Sequence, residues 1–134
     1  MDYPYATHLN VLFEPLTKIS LDPLVASVTD EWYNQTLARV NDSVIRLGVV
    51  HGEYHWHEHD DDDEFFYVVD GELLIDLEPG TDGATPGRVV SLAPRESFVV
   101  PKGVRHRTRA PGKTVILMVE TASVVPTGSA RVLD

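Results

Sequence analysis

The sequence predicts an all-β fold, either a closed barrel or a two-sheet sandwich, with one short helix near the N-terminus. Short apolar segments rich in β-branched residues recur between Gly, Pro, Asn and Asp turns from about residue 35 to about residue 122. Almost no helical pattern interrupts them. At 134 residues and 43% hydrophobic content, the chain can form one packed core. We therefore expect residues 1–134 to form a single domain, with a barrel core at about 35–122 and an arm at each end.

The first regular element is predicted to be a helix over about residues 23–32. Asp22 is followed by Pro23. An aspartate caps free N–H groups, and the fixed φ of proline suits the first helical position. This pair is therefore typical of a helix start.

Two hairpins are predicted next. Residues 35–40 and 43–50 are rich in apolar and β-branched residues, and Asn41-Asp42 between them tolerates turn geometry. Residues 64–69 lead to Asp70-Gly71, after which apolar and other residues alternate over 73–77 with the period of a half-buried strand. Further strands are predicted over residues 88–93, 98–101 and 114–120.

Composition and charge exclude several functions. Eleven basic and twenty-one acidic side chains give a formal net charge of -10, which repels phosphate backbones and anionic lipid headgroups. We expect no nucleic-acid or membrane partner and a cytoplasmic location. Without cysteine, any metal must be held by nitrogen and oxygen atoms.

The segment HWHEHDDDDE, residues 55–64, contains the candidate metal site. In an extended chain His57 and His59 project from the same face, so both imidazoles can reach one point. Four residues separate His59 from Glu64, enough for the chain to turn back and bring the carboxylate to that point. A turn containing Pro101 and Gly103 is a plausible source of a fourth ligand, His106, at the start of the following strand.

These residues resemble a known family. The spacing His57-x-His59-x4-Glu64-x6-Gly71, followed by Pro101-x-Gly103-x2-His106, is similar to the paired motifs of the cupin superfamily. The resemblance covers about residues 44–121 and extends to small single-domain bacterial cupins. It implies a double-stranded β-helix, also called a jelly-roll barrel. It also implies one divalent metal ion bound by the following side chains: His57, His59, Glu64 and His106.

The sequence departs from the family pattern at turn positions. The family glycine before the first ligand falls on His51, with Gly52 one place late. The glycine that opens the second motif falls on Arg95, and the asparagine that closes it is replaced by Ala110. These positions shape the backbone and do not bind metal.

Three imidazoles and one carboxylate suit Fe, Mn, Ni, Co or Zn and leave coordination positions open. Zinc is also comfortable with four ligands and no open position, which makes a structural site the alternative. We expect no other cofactor.

Neighbouring polar residues are interpreted as lying outside the ligand set. His55 has the parity of His57 but is predicted to be a surface or hydrogen-bonded histidine. Residues 60–63 are predicted to form a solvated acidic loop, because consecutive carboxylates in a short turn cannot all face one ion. Arg105, Arg107 and Arg109 alternate with His106 and should face outward.

In the strand predicted to begin at Glu64, alternate side chains should point to opposite faces. Phe66 and Val68 should line the barrel. Phe65, Tyr67 and Val69 face the other way and need covering by an arm or a second subunit. A homodimer is therefore expected.

Two function classes follow. In the first, the protein is a metal-dependent oxygenase, isomerase or lyase acting on a small organic substrate; in the second, it binds or senses a small metabolite without turnover. No catalytic acid or base is assigned; the nearby candidates are Tyr54, Tyr67, Glu53 and His55. A phosphorylated sugar is disfavoured, because the basic residues that can be placed face outward.

Overall fold

The computed structural model describes residues 5–80, 83–84, 86–124 and 126–128. Within them the chain forms eight strands and one short helix, which confirms the all-β prediction. The elements are β1 (Ala6–His8), α1 (Leu21–Ser27), β2 (Trp32–Val40), β3 (Ser43–Glu53), β4 (Glu64–Asp70), β5 (Leu73–Leu77), β6 (Arg88–Leu92), β7 (Ser97–Val100) and β8 (His106–Thr121).

β8 is the strand around which the sheet is organised. Its first part pairs with β5, and its second part lies between β3 and β4. β2 continues the sheet beyond β3, and β1 covers the edge of β2 in parallel. β7 extends the sheet beyond β4, and β6 pairs with β5. The strand is 16 residues long, whereas the sequence predicted only its second half.

The first predicted hairpin is confirmed. β2 and β3 pair antiparallel, and the turn residue Asn41 adopts φ 51°, a left-handed conformation that asparagine tolerates. The outer face of this hairpin packs against the N-terminal arm and α1. Phe13, Ile19 and Leu24 contact the cluster that contains Leu37 and Leu47.

The second predicted hairpin is wrong. Within the described chain β4 and β5 do not pair with each other, and both pair with β8 instead. Gly71 has φ +93°, and a Cβ atom there would lie 2.5 Å from Thr114 Oγ1. The backbone N–H of Glu72 donates to the same hydroxyl at 3.1 Å. The turn therefore packs onto β8 and directs β5 along a different part of that strand.

The predicted helix exists, but its boundaries are wrong. It begins at Leu21 and ends at Ser27, so Asp22 lies inside the first turn; the N-cap is Ser20, whose side chain makes no capping hydrogen bond. Trp32 instead opens β2, because its side chain is buried in an interior aromatic cluster. No helix in the described part of the chain is long and apolar enough to cross a membrane.

The parity of β4 is as predicted. Phe66 and Val68 are buried in the main core, together with residues of β5, β7 and β8. Phe65 and Tyr67 are half-buried, and Val69 is exposed. These three side chains lie on the outer face.

The two departures from the expected glycine pattern have backbone consequences. Arg95 adopts φ 72°, so a left-handed conformation is retained where the family has glycine. Gly52 has φ +100°, and the pairing of β3 with β8 shifts register between Val50 and Gly52. The glycine placed one position late therefore coincides with a β-bulge.

Candidate metal centre

Four side chains from three separate parts of the chain meet in the interior. His57 and His59 lie in the link between β3 and β4, Glu64 is the first residue of β4, and His106 is the first residue of β8. All four are buried. One nitrogen or oxygen atom from each lies within 4.8 Å of the others. The four residues that the sequence singled out are thus brought together.

Backbone hydrogen bonds hold the link against β8. The N–H of His57 donates to the carbonyl oxygen of His106 at 2.9 Å, and the reverse bond measures 2.8 Å. The N–H of Gly103 donates to the carbonyl oxygen of His59 at 2.8 Å. These bonds fix the positions of the histidines relative to one another.

Backbone carbonyls also set the orientation of two imidazoles. His57 Nδ1 lies 3.0 Å from the carbonyl oxygen of His55, and His106 Nδ1 lies 2.9 Å from that of Val104. A carbonyl oxygen only accepts, so each Nδ1 is the donor, and each Nε2 is left for a metal ion. This arrangement is typical of metal-bound histidines.

The third imidazole and the carboxylate face the same point. His59 Nε2 and His106 Nε2 each lie 3.3 Å from Glu64 Oε1. His59 Nε2 is buried and has no hydrogen-bond partner among the described residues. Buried polar atoms are rarely left unbonded, so this nitrogen is suited to a metal ion. The donor set therefore fits a divalent cation.

The protonation states of His57 and Glu64 also suit metal binding. Burial and the neighbouring His106 lower the pKa of the His57 imidazole to about 3, so it is neutral at physiological pH. Burial favours the neutral form of Glu64, but the adjacent imidazoles of His106 and His59 outweigh this effect and hold the pKa of this carboxyl below its usual range. A neutral imidazole and an ionised carboxylate are the forms that bind a metal.

A buried pair behind Glu64 was missed by the sequence analysis. Arg46 Nε lies 3.5 Å from Glu120 Oε2, and both side chains are buried. Arg46 also donates to Thr36 Oγ1 at 2.7 Å and to the carbonyl oxygen of Val124 at 3.3 Å. Burial and the Glu64 carboxylate raise the pKa of Glu120 to about 9. The available signal was a charged residue within each of two otherwise apolar segments, residues 44–50 and 115–120.

Arg46 corrects one premise, that the basic residues face outward. It is buried, and its guanidinium donates hydrogen bonds to Thr36 Oγ1 and to the carbonyl oxygen of Val124. Arg105, which precedes β8, and Arg107 and Arg109 within β8 do lie on the outer side, where they pair with acidic residues. Arg105 pairs with Glu78, and Arg107 and Arg109 pair with Asp76.

A small cavity adjoins the cluster. The volume that the centre of a water molecule can occupy in it is about 20 Å³. The cavity therefore has room for one or two waters. Its described lining contains no Lys or Arg. The lining residues are Trp32, Tyr33, Asn34, Gly48, Val50, Tyr54, His57, Glu64, Phe66, Thr108, Ile116 and Met118.

The candidate acids and bases differ in their position relative to this cavity. Tyr54 lines it, whereas Tyr67 lies on the outer face and Glu53 pairs with Arg107 at 3.4 Å. His55 lies outside the four-residue cluster and hydrogen-bonds through Nε2 to the carbonyl oxygen of Thr127 at 2.7 Å, as predicted.

The acidic loop also lies outside the cluster. Three of its four aspartates are exposed. Asp62 accepts a hydrogen bond from Thr121 Oγ1 at 2.9 Å, and Asp63 accepts one from the N–H of Lys102, also at 2.9 Å. The loop is thus solvated and tied to its neighbours by single bonds.

Comparisons with known proteins agree with this geometry. A family model described as a cupin domain matches residues 45–121. The chain is 42% identical over 93 residues to the uncharacterized protein YdbB of Bacillus subtilis, covering 69% of this chain and 76% of that protein.

Two solved structures are similar in fold. A cupin-2 domain protein from Shewanella frigidimarina has a TM-score of 0.67 at 31% identity, over 77% of this chain and 93% of that one. Hydroquinone 1,2-dioxygenase from Sphingomonas sp., solved with 4-hydroxybenzoate bound, has a TM-score of 0.65 at 18% identity. That match covers 91% of this chain and 38% of the other.

Proposed function

This chain belongs to the cupin family, and we propose that it is a metal-dependent enzyme acting on a small organic substrate. The proposed metal ligands are His57, His59, Glu64 and His106. The observation that supports this most directly is that one donor atom from each of these buried residues lies within 4.8 Å of the others.

The donor chemistry narrows the choice of ion. Three imidazoles and one carboxylate suit Fe, Mn, Ni, Co or Zn. When bound, such an ion supplies Lewis acidity toward a substrate oxygen and, in the case of iron, redox chemistry. The carbonyls of His55 and Val104 orient two of the imidazoles, and the lining of the adjoining cavity is mostly apolar.

Oxygenase, isomerase and lyase are the reaction classes that this arrangement supports. All three use a metal ion to polarise an oxygen-bearing substrate in a small, mostly apolar site. Tyr54 is the candidate proton donor or acceptor at the cavity wall, since the other candidates lie elsewhere. The similarity to a dioxygenase is one of fold, and it places oxygenase among the reactions to test first.

Binding without turnover is the alternative. It is favoured by the lining of the cavity, whose ionisable side chains outside the ligand set are those of two tyrosines, Tyr33 and Tyr54, among the described residues. A protein that senses or carries a metabolite needs no acid or base beside the metal.

Two measurements test the proposal. Mass spectrometry of the purified protein should find about one divalent ion per chain. Absorption spectra of the Fe(II)-loaded protein should change when a substrate is added, and product should form. Heat protection by metabolites without product would select the binding alternative, and absence of bound metal in the presence of added ions would contradict the metal centre.

The cytoplasmic location, the homodimeric state and the single-domain organisation over residues 1–134 stay predictions. Residues 1–4 and 129–134 lie outside the described residues.

A further inference from the structure

Four buried polar side chains form a row across the interior face of the sheet. The row runs from Thr36 on β2 through Arg46 on β3 and Glu120 on β8 to Glu64 on β4. Each of these residues is at most 4% exposed. Charged side chains are rarely buried this deeply unless they are paired. The row ends at one of the proposed metal ligands.

The register of the strands places Glu120 beside Glu64. Phe65 of β4 pairs with Val119 of β8, and the two strands are antiparallel. The residues one place beyond that pair, Glu64 and Glu120, therefore lie opposite each other. Opposite residues share a face of the sheet, and both glutamates are buried. Their proximity is also evident in the pKa of Glu120, which is raised by burial and by the Glu64 carboxylate.

Arg46 fixes the other side of Glu120. Its Nε lies 3.5 Å from Glu120 Oε2. Its terminal nitrogens donate to Thr36 Oγ1 at 2.7 Å and to the carbonyl oxygen of Val124 at 3.3 Å. A planar guanidinium with three engaged nitrogens cannot rotate without breaking these contacts. Glu120 is thus held between a fixed cation and the carboxyl group of Glu64.

Stability of the fold does not account for this row. The desolvation of buried charged groups often exceeds what their ion pair recovers, so packed apolar side chains of similar size stabilise a core at least as well. Features that lower stability without a structural gain are concentrated at functional sites. Because the row meets the proposed metal centre at Glu64, we expect its effect at that ligand.

We propose that Glu120 is a positioning residue for the metal ligand Glu64, and that Arg46 holds Glu120 in place. This inference rests on the proposed metal-dependent function. Glu64 Oε1 faces His59 and His106, so the direction of this carboxylate decides whether it meets the imidazoles at one ion. A group that contacts a ligand carboxylate from behind sets that direction. Glu120 occupies that place.

Two single substitutions test the reach of the Glu120 side chain by titration with Co(II) in competition with a chelator. Glu120→Gln keeps the length and a hydrogen-bonding group, so Co(II) affinity should stay within about twofold of the wild type. Glu120→Asp is shorter by one methylene group and withdraws its carboxyl from Glu64, so Co(II) affinity should fall about tenfold.

The visible absorption spectrum of the Co(II)-loaded protein reports the ligand geometry independently of stability. It should change for Glu120→Asp and stay the same for Glu120→Gln. Equal affinities and spectra for the wild type and both variants would overturn the inference. Equal losses for the two variants would also overturn it, because the reach of the side chain would then be irrelevant.

A double substitution separates positioning from folding. Arg46→Met combined with Glu120→Leu replaces both charged groups by apolar ones, so Tm of the metal-free protein should be unchanged or higher. Co(II) affinity should nevertheless fall about tenfold. Gln35→Leu is the control. It removes a buried amide that donates to the carbonyl oxygens of Asn10 and Thr36, and it should lower Tm without changing Co(II) affinity.

Three results of this comparison would overturn the inference. A Tm of the double variant below that of Gln35→Leu would show that the pair serves the fold. Wild-type Co(II) affinity in the double variant would show that the pair does not act on Glu64. An equal loss of Co(II) affinity in Gln35→Leu would show that affinity follows stability.

Metal binding by the wild type separates this inference from the proposed function. If the wild type binds no Co(II), the metal centre itself is wrong, and the proposed function fails with it. If the wild type binds Co(II) and Glu120→Asp binds it equally tightly, only the positioning role of Glu120 is wrong.

Discussion

Single backbone carbonyls orient two of the three imidazoles of the centre. His57 depends on the carbonyl of His55, and His106 on that of Val104. The His55 side chain points elsewhere, to Thr127. The proposed ligand His57 and its neighbour His55, two residues away, therefore have different contacts, although both are histidines of the same parity.

Alanine substitutions should separate these roles. His57→Ala, His59→Ala and His106→Ala should each reduce bound metal at least about tenfold, because each removes a donor atom from a site with four. His55→Ala is the matched control and should retain metal, since alanine keeps the carbonyl that His57 uses. Mass spectrometry after dialysis against chelator-treated buffer measures the result; equal loss at His55 would contradict the ligand assignment.

At the scale of elements, β8 connects the site to the rest of the sheet. It begins at His106 in the centre and pairs along its length with β3, β4 and β5. Contacts between turns and this strand therefore bear on the site as well as on the fold.

Gly71 makes the closest of these turn contacts. Gly71→Ala should destabilise the protein by about 2 kcal/mol or more, because the left-handed φ and the approach of Thr114 and Lys113 both oppose a Cβ atom. Gly112→Ala is the control. Its Cβ would meet nothing within 4 Å, and its φ lies outside the left-handed region. Urea unfolding of both variants measures the difference, and equal stability would refute the role of the turn.

Asp76 on β5 accepts a bidentate pair of hydrogen bonds from Arg109 on β8, at 2.8 and 3.0 Å. The Arg109 guanidinium, with help from Arg107, holds the pKa of Asp76 below its usual value. The unfolded state then binds more protons as the pH falls. The stability from this carboxylate is present above the unfolded pKa of about 3.9 and is lost as pH falls below it.

Asp76→Asn should therefore destabilise the protein by about 1–3 kcal/mol at pH 7, and less below pH 3. Glu78→Gln removes the exposed partner of Arg105 and should change stability by less than about 0.5 kcal/mol. Urea unfolding at both pH values is the measurement. If Asp76→Asn lowered the free energy of unfolding equally at both pH values, the charge of the carboxylate would not be the cause.

At the scale of the whole molecule, both ends of the described chain pack on the segment that contains His57. The Tyr5 ring lies 4.2 Å from that of Tyr54, which in turn contacts the edge of His57 at 5.2 Å. Gly128 has φ +107°, and a Cβ atom there would lie 2.9 Å from His57 Cβ. The two arms thus cover the centre as well as the sheet.

Burial of His57 makes folding dependent on pH. Its pKa is about 3 in the folded protein and about 6.5 when unfolded, so between these values the unfolded state binds the extra proton. The free energy of unfolding should fall as pH decreases from 6.5 toward 3. His57→Asn, which does not titrate, should flatten this dependence. Urea unfolding of the metal-free protein between pH 7.5 and 4.5 tests this; identical slopes would contradict it.

Local sequence signals predicted the elements better than their partners. Alternation located β4 and β5, and Asn41-Asp42 located the first turn. Alternation is a property of neighbours in the chain and does not specify which strand pairs with which, so the hairpin at Gly71 was wrong. The end of α1 was wrong because burial of Trp32, a tertiary effect, overrode the local pattern.

The sequence by itself determined the all-β class and the shared face of His57 and His59, because spacing along a strand fixes which side chains share a face. The family resemblance of the sequence supplied Glu64 and His106 as the other two members of the group. Only the tertiary structure decided that β4 and β5 both pair with β8, that Arg46 and Glu120 meet behind Glu64, and that Asn34 lies on the wall of the cavity. These features depend on contacts between residues far apart in the chain, which no local pattern encodes.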